Sequence, residues 1–182
     1  VSIELVMELL ILLVLILING FFVMSEIALI SARKTRIESL SNKGDLKAKN
    51  ALKLIENPEK FLSTSQIGIT LISILTGVYS GEKFSKQLIP FIEKINLLKP
   101  YAEGVSTVLV VMAVTFLSII IGELMPKKIG LLRAEKIAMS VAGPINLIST
   151  VVHPFVWMLS GITNFIFRFL NIKKPSDHAV TE

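Results

Sequence analysis

The chain has 182 residues, a formal net charge of +5, a mean hydropathy of +0.70 and no cysteine. Its hydrophobic fraction of 52% is barely above the soluble norm of roughly 45–50%, so the distribution must decide the class. Residues 9–25, 61–79, 104–122 and 137–167 carry no Asp, Glu, Lys or Arg. Several uncharged runs near the ~18 residues of a membrane span exclude an ordinary soluble enzyme, and the missing thiols exclude disulfide frameworks and thiolate zinc sites.

The first element is a long apolar helix over about 5–31. Glu4 and Glu8 stand where a signal peptide would be basic, and Asn19-Gly20 offers no small-residue cleavage site. The chain starts at Val1 rather than methionine and reads as an excised domain. A basic segment follows, with eight Lys or Arg against four acids between Ser31 and Lys60. Within it Ile37, Leu40, Ala48, Ala51, Leu52 and Ile55 recur at helical spacing, and Asn42-Lys43-Gly44 reads as the turn of a helical pair over 32–58. Its charge reads first as a solvated face and second as a surface for lipid headgroups.

Asn57-Pro58-Glu59 opens a second span over 61–82, and a third covers 103–126. Basic residues outnumber acidic ones by four to three between Ser80 and Glu103, and by four to two between Glu123 and Lys136. The positive-inside rule then places the N-terminus outside, 31–60 inside, 80–103 outside and 123–136 inside. Tyr79 and Tyr101 mark the outer boundary.

The fourth run resists that alternation, since a crossing there would leave Arg168, Lys173 and Lys174 outside. Gly143-Pro144, His153-Pro154 and Gly161 are expected to break it into short pieces. An interfacial belt over 137–171 is therefore preferred to a fourth span. Trp157 with Phe155, Phe165, Phe167 and Phe169 suits a membrane-interface aromatic set, and His153 reads as an interfacial polar residue rather than a ligand. The fold class expected is an all-α membrane protein: three transmembrane helices, a cytoplasmic helical pair and belt helices.

Function is sought among polar groups at membrane depth, where an ionisable residue costs at least ~2.5–3.5 kcal/mol on the insertion scale. Glu26 and Glu123 are the carboxylates there. The second span holds Ser63, Thr64, Ser65, Gln66, Gly68, Thr70, Ser73, Thr76 and Gly77, more than close helix packing requires. Carboxylates with neutral oxygens suit a hard cation such as Mg²⁺, Ca²⁺, Mn²⁺ or Na⁺. His153 and His178 are the only histidines, so soft-metal chemistry is disfavoured. No metal-hydrolase motif, nucleophile elbow or phosphate loop supports an enzyme. The basic surplus lies between apolar runs and lacks a stacking platform, so it does not indicate nucleic-acid binding.

Asn19-Gly20-Phe21-Phe22-Val23-Met24-Ser25-Glu26, the Asn57-Pro58-Glu59-Lys60-Phe61-Leu62-Ser63-Thr64 entry with Gln66 and Gly68, and Gly122-Glu123-Leu124-Met125-Pro126-Lys127 occur in order. Together they resemble the transmembrane domain of the CorC/CNNM (cyclin M) family, a likeness covering nearly the whole chain. The resemblance implies a homodimer with three spans and a juxtamembrane belt in the inner or plasma membrane. It also implies a following cytosolic CBS pair that binds nucleotide, and Mg²⁺ efflux coupled to Na⁺. A Mg²⁺-sensing module that regulates another transporter is the alternative, and a structural anchor a third. By the same resemblance Ser25 and Glu123 give oxygens to a central cation. Where the family often reads G-N-x-x-x-N, this chain reads Gly68-Ile69-Thr70-Leu71-Ile72-Ser73. The Gly68 carbonyl and Ser73 hydroxyl then stand in for the amides, ahead of Thr70. Glu26 is either a second carboxylate of the site or a partner of Lys127 or Arg33. Lys127 is either a cytoplasmic anchor or a partner for Glu123, and Pro126 is expected to kink or end the third helix.

Overall fold

A computed structural model describes residues 3–170; Lys173, Lys174, His178 and the last residue of the expected belt lie outside them. The described chain is helical throughout, apart from turns. Helix α1 runs over Ile3–Ser31, α2 over Lys34–Asn42, α3 over Leu46–Glu56 and α4 over Pro58–Ile92. A 3-10 turn at Lys99–Tyr101 leads into α5, Ala102–Ile119. A π-helical turn, Ile120–Leu124, joins α5 to α6 at Met125–Leu132, and α7 spans Ala134–Phe169. Four helical segments, Ile3–Ser31, Pro58–Ile92, Lys99–Leu132 and Ala134–Phe169, are long and apolar enough to cross a membrane. At ~1.5 Å per residue, α1 alone reaches about 43 Å, beyond the ~30 Å of a hydrocarbon core.

The short helices form as the sequence pattern requires. Gly44 has a φ of +93°, a conformation open to glycine at little cost, and it turns the chain between α2 and α3. Asp45 then caps α3, its carboxylate accepting from the backbone N–H of Lys47 at 2.8 Å and of Ala48 at 3.2 Å. Ala48, Ala51 and Leu54 recur on one side of α3 and are buried, while its lysines face out. Replacing Asp45 with alanine should cost about 1 kcal/mol of local stability, because two amides at the helix start lose their acceptor. Faster hydrogen exchange confined to 46–50 is the expected reading; uniform exchange across the chain would contradict it.

Two apolar clusters hold the bundle. The larger gathers Ala28, Leu29, Ala32, Ile37, Ala51, Leu54, Phe61, Ala138 and Ile145, fastening α2 and α3 to the Ser31 end of α1 and to α7. Arg33 adds an ion pair to Glu135 at 3.0 Å, and Lys34 one to Glu56 at 3.5 Å. The smaller cluster, Leu12, Ile16, Val110 and Val114 with Phe84, Leu88 and Ile121, packs α1 against α4 and α5 nearer the Ile3 end. Between the two clusters α1 carries Asn19.

The helices depart from the sequence reading in three places. First, α4 continues to Ile92 rather than 82, because Phe84 and Leu88 keep a helical register and pack on the smaller cluster. Second, of the kink or stop expected at Pro126, the stop does not occur. Pro126 follows the π-helical turn, whose shifted hydrogen bonding has no need of the N–H that proline lacks, and the chain stays helical to Leu132. Third, the expected belt helices are one unbroken helix, α7, which passes through both Pro144 and Pro154. Both prolines are exposed, so their rings meet no neighbouring helix, and each removes only one bond from a 36-residue ladder. Buried residues of α7 end at Ser149; Val152 and Val156 are half-buried, and the rest as far as Leu170 is exposed.

Candidate functional site

A cavity of about 240 Å³ lies between α1, α4 and the third span, walled in part by Ile16 and Val114 of the smaller apolar cluster. Asn19, Ser73, Thr76, Ser80, Thr115, Ser118 and Glu123 supply its polar lining. Along the third span the lining runs from Val111 to Glu123, roughly 18 Å at the helical rise. The volume exceeds the ~10–15 Å³ that admits one water by an order of magnitude, so a cation fits with part of its hydration shell.

Each helix delivers its polar group for a local reason. On α1, Asn19 is the amide within an otherwise apolar run, and it bridges the neighbouring helices. Its Nδ2 donates to the Gly122 carbonyl at 3.2 Å, and its Oδ1 accepts from the Ser73 hydroxyl at 3.5 Å. The Gly122 carbonyl belongs to the π-helical turn, where the ordinary i to i−4 ladder is interrupted and a carbonyl can take an outside partner. Gly122 also brings the turn close, since a Cβ there would stand 3.3 Å from both Asn19 Nδ2 and the Ile16 carbonyl. On α5 the Ser118 hydroxyl is buried without a hydrogen-bond partner. A buried orphan hydroxyl on a cavity wall is the kind of group that a water or bound cation satisfies.

Glu123 sits in the π-helical turn, and its Oε1 accepts from Lys127 Nζ at 2.6 Å. Both side chains keep about two-fifths of their surface open, 44% for Glu123 and 42% for Lys127. The ion pair is thus half-exposed rather than sealed.

The four residues expected at the cation separate into two pairs. Ser73 and Glu123 line the same cavity. Ser25 and Gly68 do not; they belong to the packed layer on its Ser31 side. Ser25 is fully buried and its hydroxyl donates back to the Phe21 carbonyl at 2.6 Å. Gly68 lies under the Phe22 ring, where an added Cβ would come within 2.7 Å. Its missing side chain makes room for an aromatic ring. Thr70 is exposed and does not line the cavity. Glu26 is half-buried on α1; Lys127 is the cation whose charge bears on it, and Arg33 is engaged by Glu135.

Asn19, Ser80, Thr115 and Ser118 are the polar lining residues that sequence reasoning did not single out as donors. A signal existed for Asn19, an amide ten residues into an apolar run; Ser118 gave none beyond being a lone hydroxyl. Among the described residues no three His, Cys, Asp or Glu side chains gather as a metal cluster. The cavity thus offers one carboxylate with amide and hydroxyl oxygens, a donor set for a hard cation or an ammonium group.

Residues 10–182 match the family model described as the cyclin M transmembrane N-terminal domain. The UPF0053 protein sll0260 of Synechocystis is 44% identical over 181 residues, covering 100% of this chain and 40% of that protein. The UPF0053 protein YhdT of Bacillus subtilis is 35% identical over 165 residues, 91% of this chain and 36% of its own length. A polyamine export protein of Escherichia coli is 31% identical over 165 residues, again 91% of this chain and 37% of that protein. The chain therefore spans about two-fifths of the length of such relatives.

Proposed function

The chain belongs to the cyclin M transmembrane-domain family, and on that footing we propose that it is the membrane-embedded unit of a cation exporter. Mg²⁺ is the proposed cargo, with efflux coupled to Na⁺. The observation that carries this reading is the meeting of Glu123, Ser73 and Asn19 around one cavity between three helices. A carboxylate in a span is costly unless a cavity hydrates it or a cation neutralises it. One strong anion among neutral oxygens holds Mg²⁺ loosely, with some of its waters retained, and loose holding suits release.

The proposed arrangement has three spans, with α7 as a belt at the cytoplasmic face and the N-terminus outside. The bare second half of α7 supports the belt, since its exposed Phe155, Trp157, Phe165 and Phe169 suit an interface. A homodimer is proposed because Gln66 and Thr70, four residues apart on α4, are exposed polar side chains outside the cavity. Lipid would leave such groups without partners, and a second copy would cover them. The inner or plasma membrane and a following nucleotide-binding CBS pair complete the proposal.

A second reading has support of its own. Some relatives carry the name polyamine export protein. The cavity lining runs about 18 Å along the third span, with its carboxylate at one end. A linear polycation would lay an ammonium on Glu123 and its stem along the hydroxyls. Proteoliposomes decide between these readings. Mg²⁺ release that follows an opposing Na⁺ gradient is the expected result; spermidine flux without Mg²⁺ flux would move the cargo to polyamines. Saturable Mg²⁺ binding without flux of either would identify a regulatory module and overturn transport.

A further inference from the structure

The Glu123–Lys127 pair stands at one end of the cavity, and its placement is unusual for a helix staple. Pro126, directly before Lys127, is buried, and its ring faces Gly20 of α1 closely enough that a Cβ there would stand 2.9 Å from Cγ. The backbone at Lys127 is therefore held, while its four-carbon stem remains free to swing. The ammonium is held by Glu123 on its own segment at 2.6 Å, the carboxylate that lines the cavity.

We propose that Lys127 is a tethered counter-cation: its ammonium neutralises Glu123 in the empty site and is displaced by an arriving cation. The inference rests on the cation site proposed above and adds a determinant of its affinity. An incoming ion must out-compete a charge of +1 that is already linked to the protein and loses little freedom by returning. A monovalent ion gains no Coulombic advantage over the ammonium, whereas a divalent ion or a polycation attracts the carboxylate about twice as strongly at equal distance. Every ion must displace the same tethered charge, so the lysine lowers the apparent affinity of the site for Na⁺ and Mg²⁺ alike and keeps an empty site neutral. The wet setting keeps the exchange inexpensive, since neither partner is sealed from water.

The test is isothermal titration of the chain in nanodiscs with MgCl₂ and, separately, NaCl, comparing wild type with Lys127→Met and Lys127→Arg. Lys127→Met should tighten Mg²⁺ and Na⁺ binding alike, by about fivefold each, since both lose the same tethered competitor. Lys127→Arg should stay within about twofold of wild type. Equal Mg²⁺ and Na⁺ affinities in wild type and the methionine variant, with only a lower Tm, would make the pair a helix staple and overturn the proposal. Absence of any Mg²⁺ binding in wild type would instead remove the cation site itself. If the variants do not fold, lysine labelling of wild type followed by mass spectrometry gives the same decision. Saturating Mg²⁺ should raise labelling of Lys127 relative to Lys128 beside it; an unchanged ratio overturns the proposal.

Discussion

Glu123→Gln should lower Mg²⁺ affinity, and with it saturable flux, by on the order of a hundredfold while leaving the fold in place. The size follows from the donor set. Glu123 is the one carboxylate lining the cavity, so its loss removes the anionic ligand and leaves only dipoles. Changes one shell further out already cost metal sites ~10–100-fold, and a direct anionic ligand belongs at or beyond the upper end. The fold survives because the variant keeps the shape of the side chain and frees a lysine that is 42% exposed, which water can solvate. An exposed pair of this kind contributes ~0–1 kcal/mol, so Tm should move by only a few degrees. Radiotracer or dye flux from proteoliposomes, run beside thermal unfolding in the same detergent, separates the two effects. Flux that persists at the wild-type level in a folded Glu123→Gln protein would remove the cavity as the transport site. A collapse of Tm would mean that the carboxylate is structural.

That the carboxylate could be found without coordinates reflects a simple physical asymmetry. Apolar runs are common and charges inside them are costly, so Glu123 stands out in any reading of the chain. The helical pair was equally legible: Gly44 and Asp45 write a turn and a cap into consecutive residues. The donors that complete the cavity were much less so. Nothing in Ile120-Ile121-Gly122-Glu123-Leu124 distinguishes a π-helical turn from an ordinary one, yet that turn frees the Gly122 carbonyl for Asn19. Gly68 is hard to read for another reason. A glycine can admit a neighbour's ring, and only the position of Phe22 shows that it does so here. The prolines of α7 misread in the same manner. Their cost to a helix depends on what surrounds the freed carbonyl and the ring, and the sequence does not carry that information.

The strongest structural prediction concerns Gly20, because there the ordinary sign of a glycine substitution should reverse. In an exposed helix, alanine is better than glycine by up to ~1 kcal/mol, since glycine has more backbone freedom to lose. Gly161 of α7 should behave so: it is exposed, a Cβ there meets nothing within 4 Å, and Gly161→Ala should raise Tm slightly. At Gly20 a Cβ would stand 2.9 Å from Pro126 Cγ and 3.4 Å from the Ile121 carbonyl oxygen. The first is a ring tied to its own backbone and the second is backbone, so neither can simply rotate aside. Inserting a methyl into such a contact costs ~1–3 kcal/mol, which outweighs the propensity gain. Gly20→Ala should therefore lower Tm, and relief requires α1 to part from the π-helical turn. That parting would stretch the Asn19 bond to the Gly122 carbonyl and draw Glu123 away from Ser73. Cation affinity should fall with stability, although Gly20 touches no cation. A folded Gly20→Ala protein with Tm and Mg²⁺ affinity at or above wild type would show that α1 and the turn are not held at the separation described here. Opposite signs at Gly20 and Gly161 would tie the geometry of the cation site to one interhelical contact.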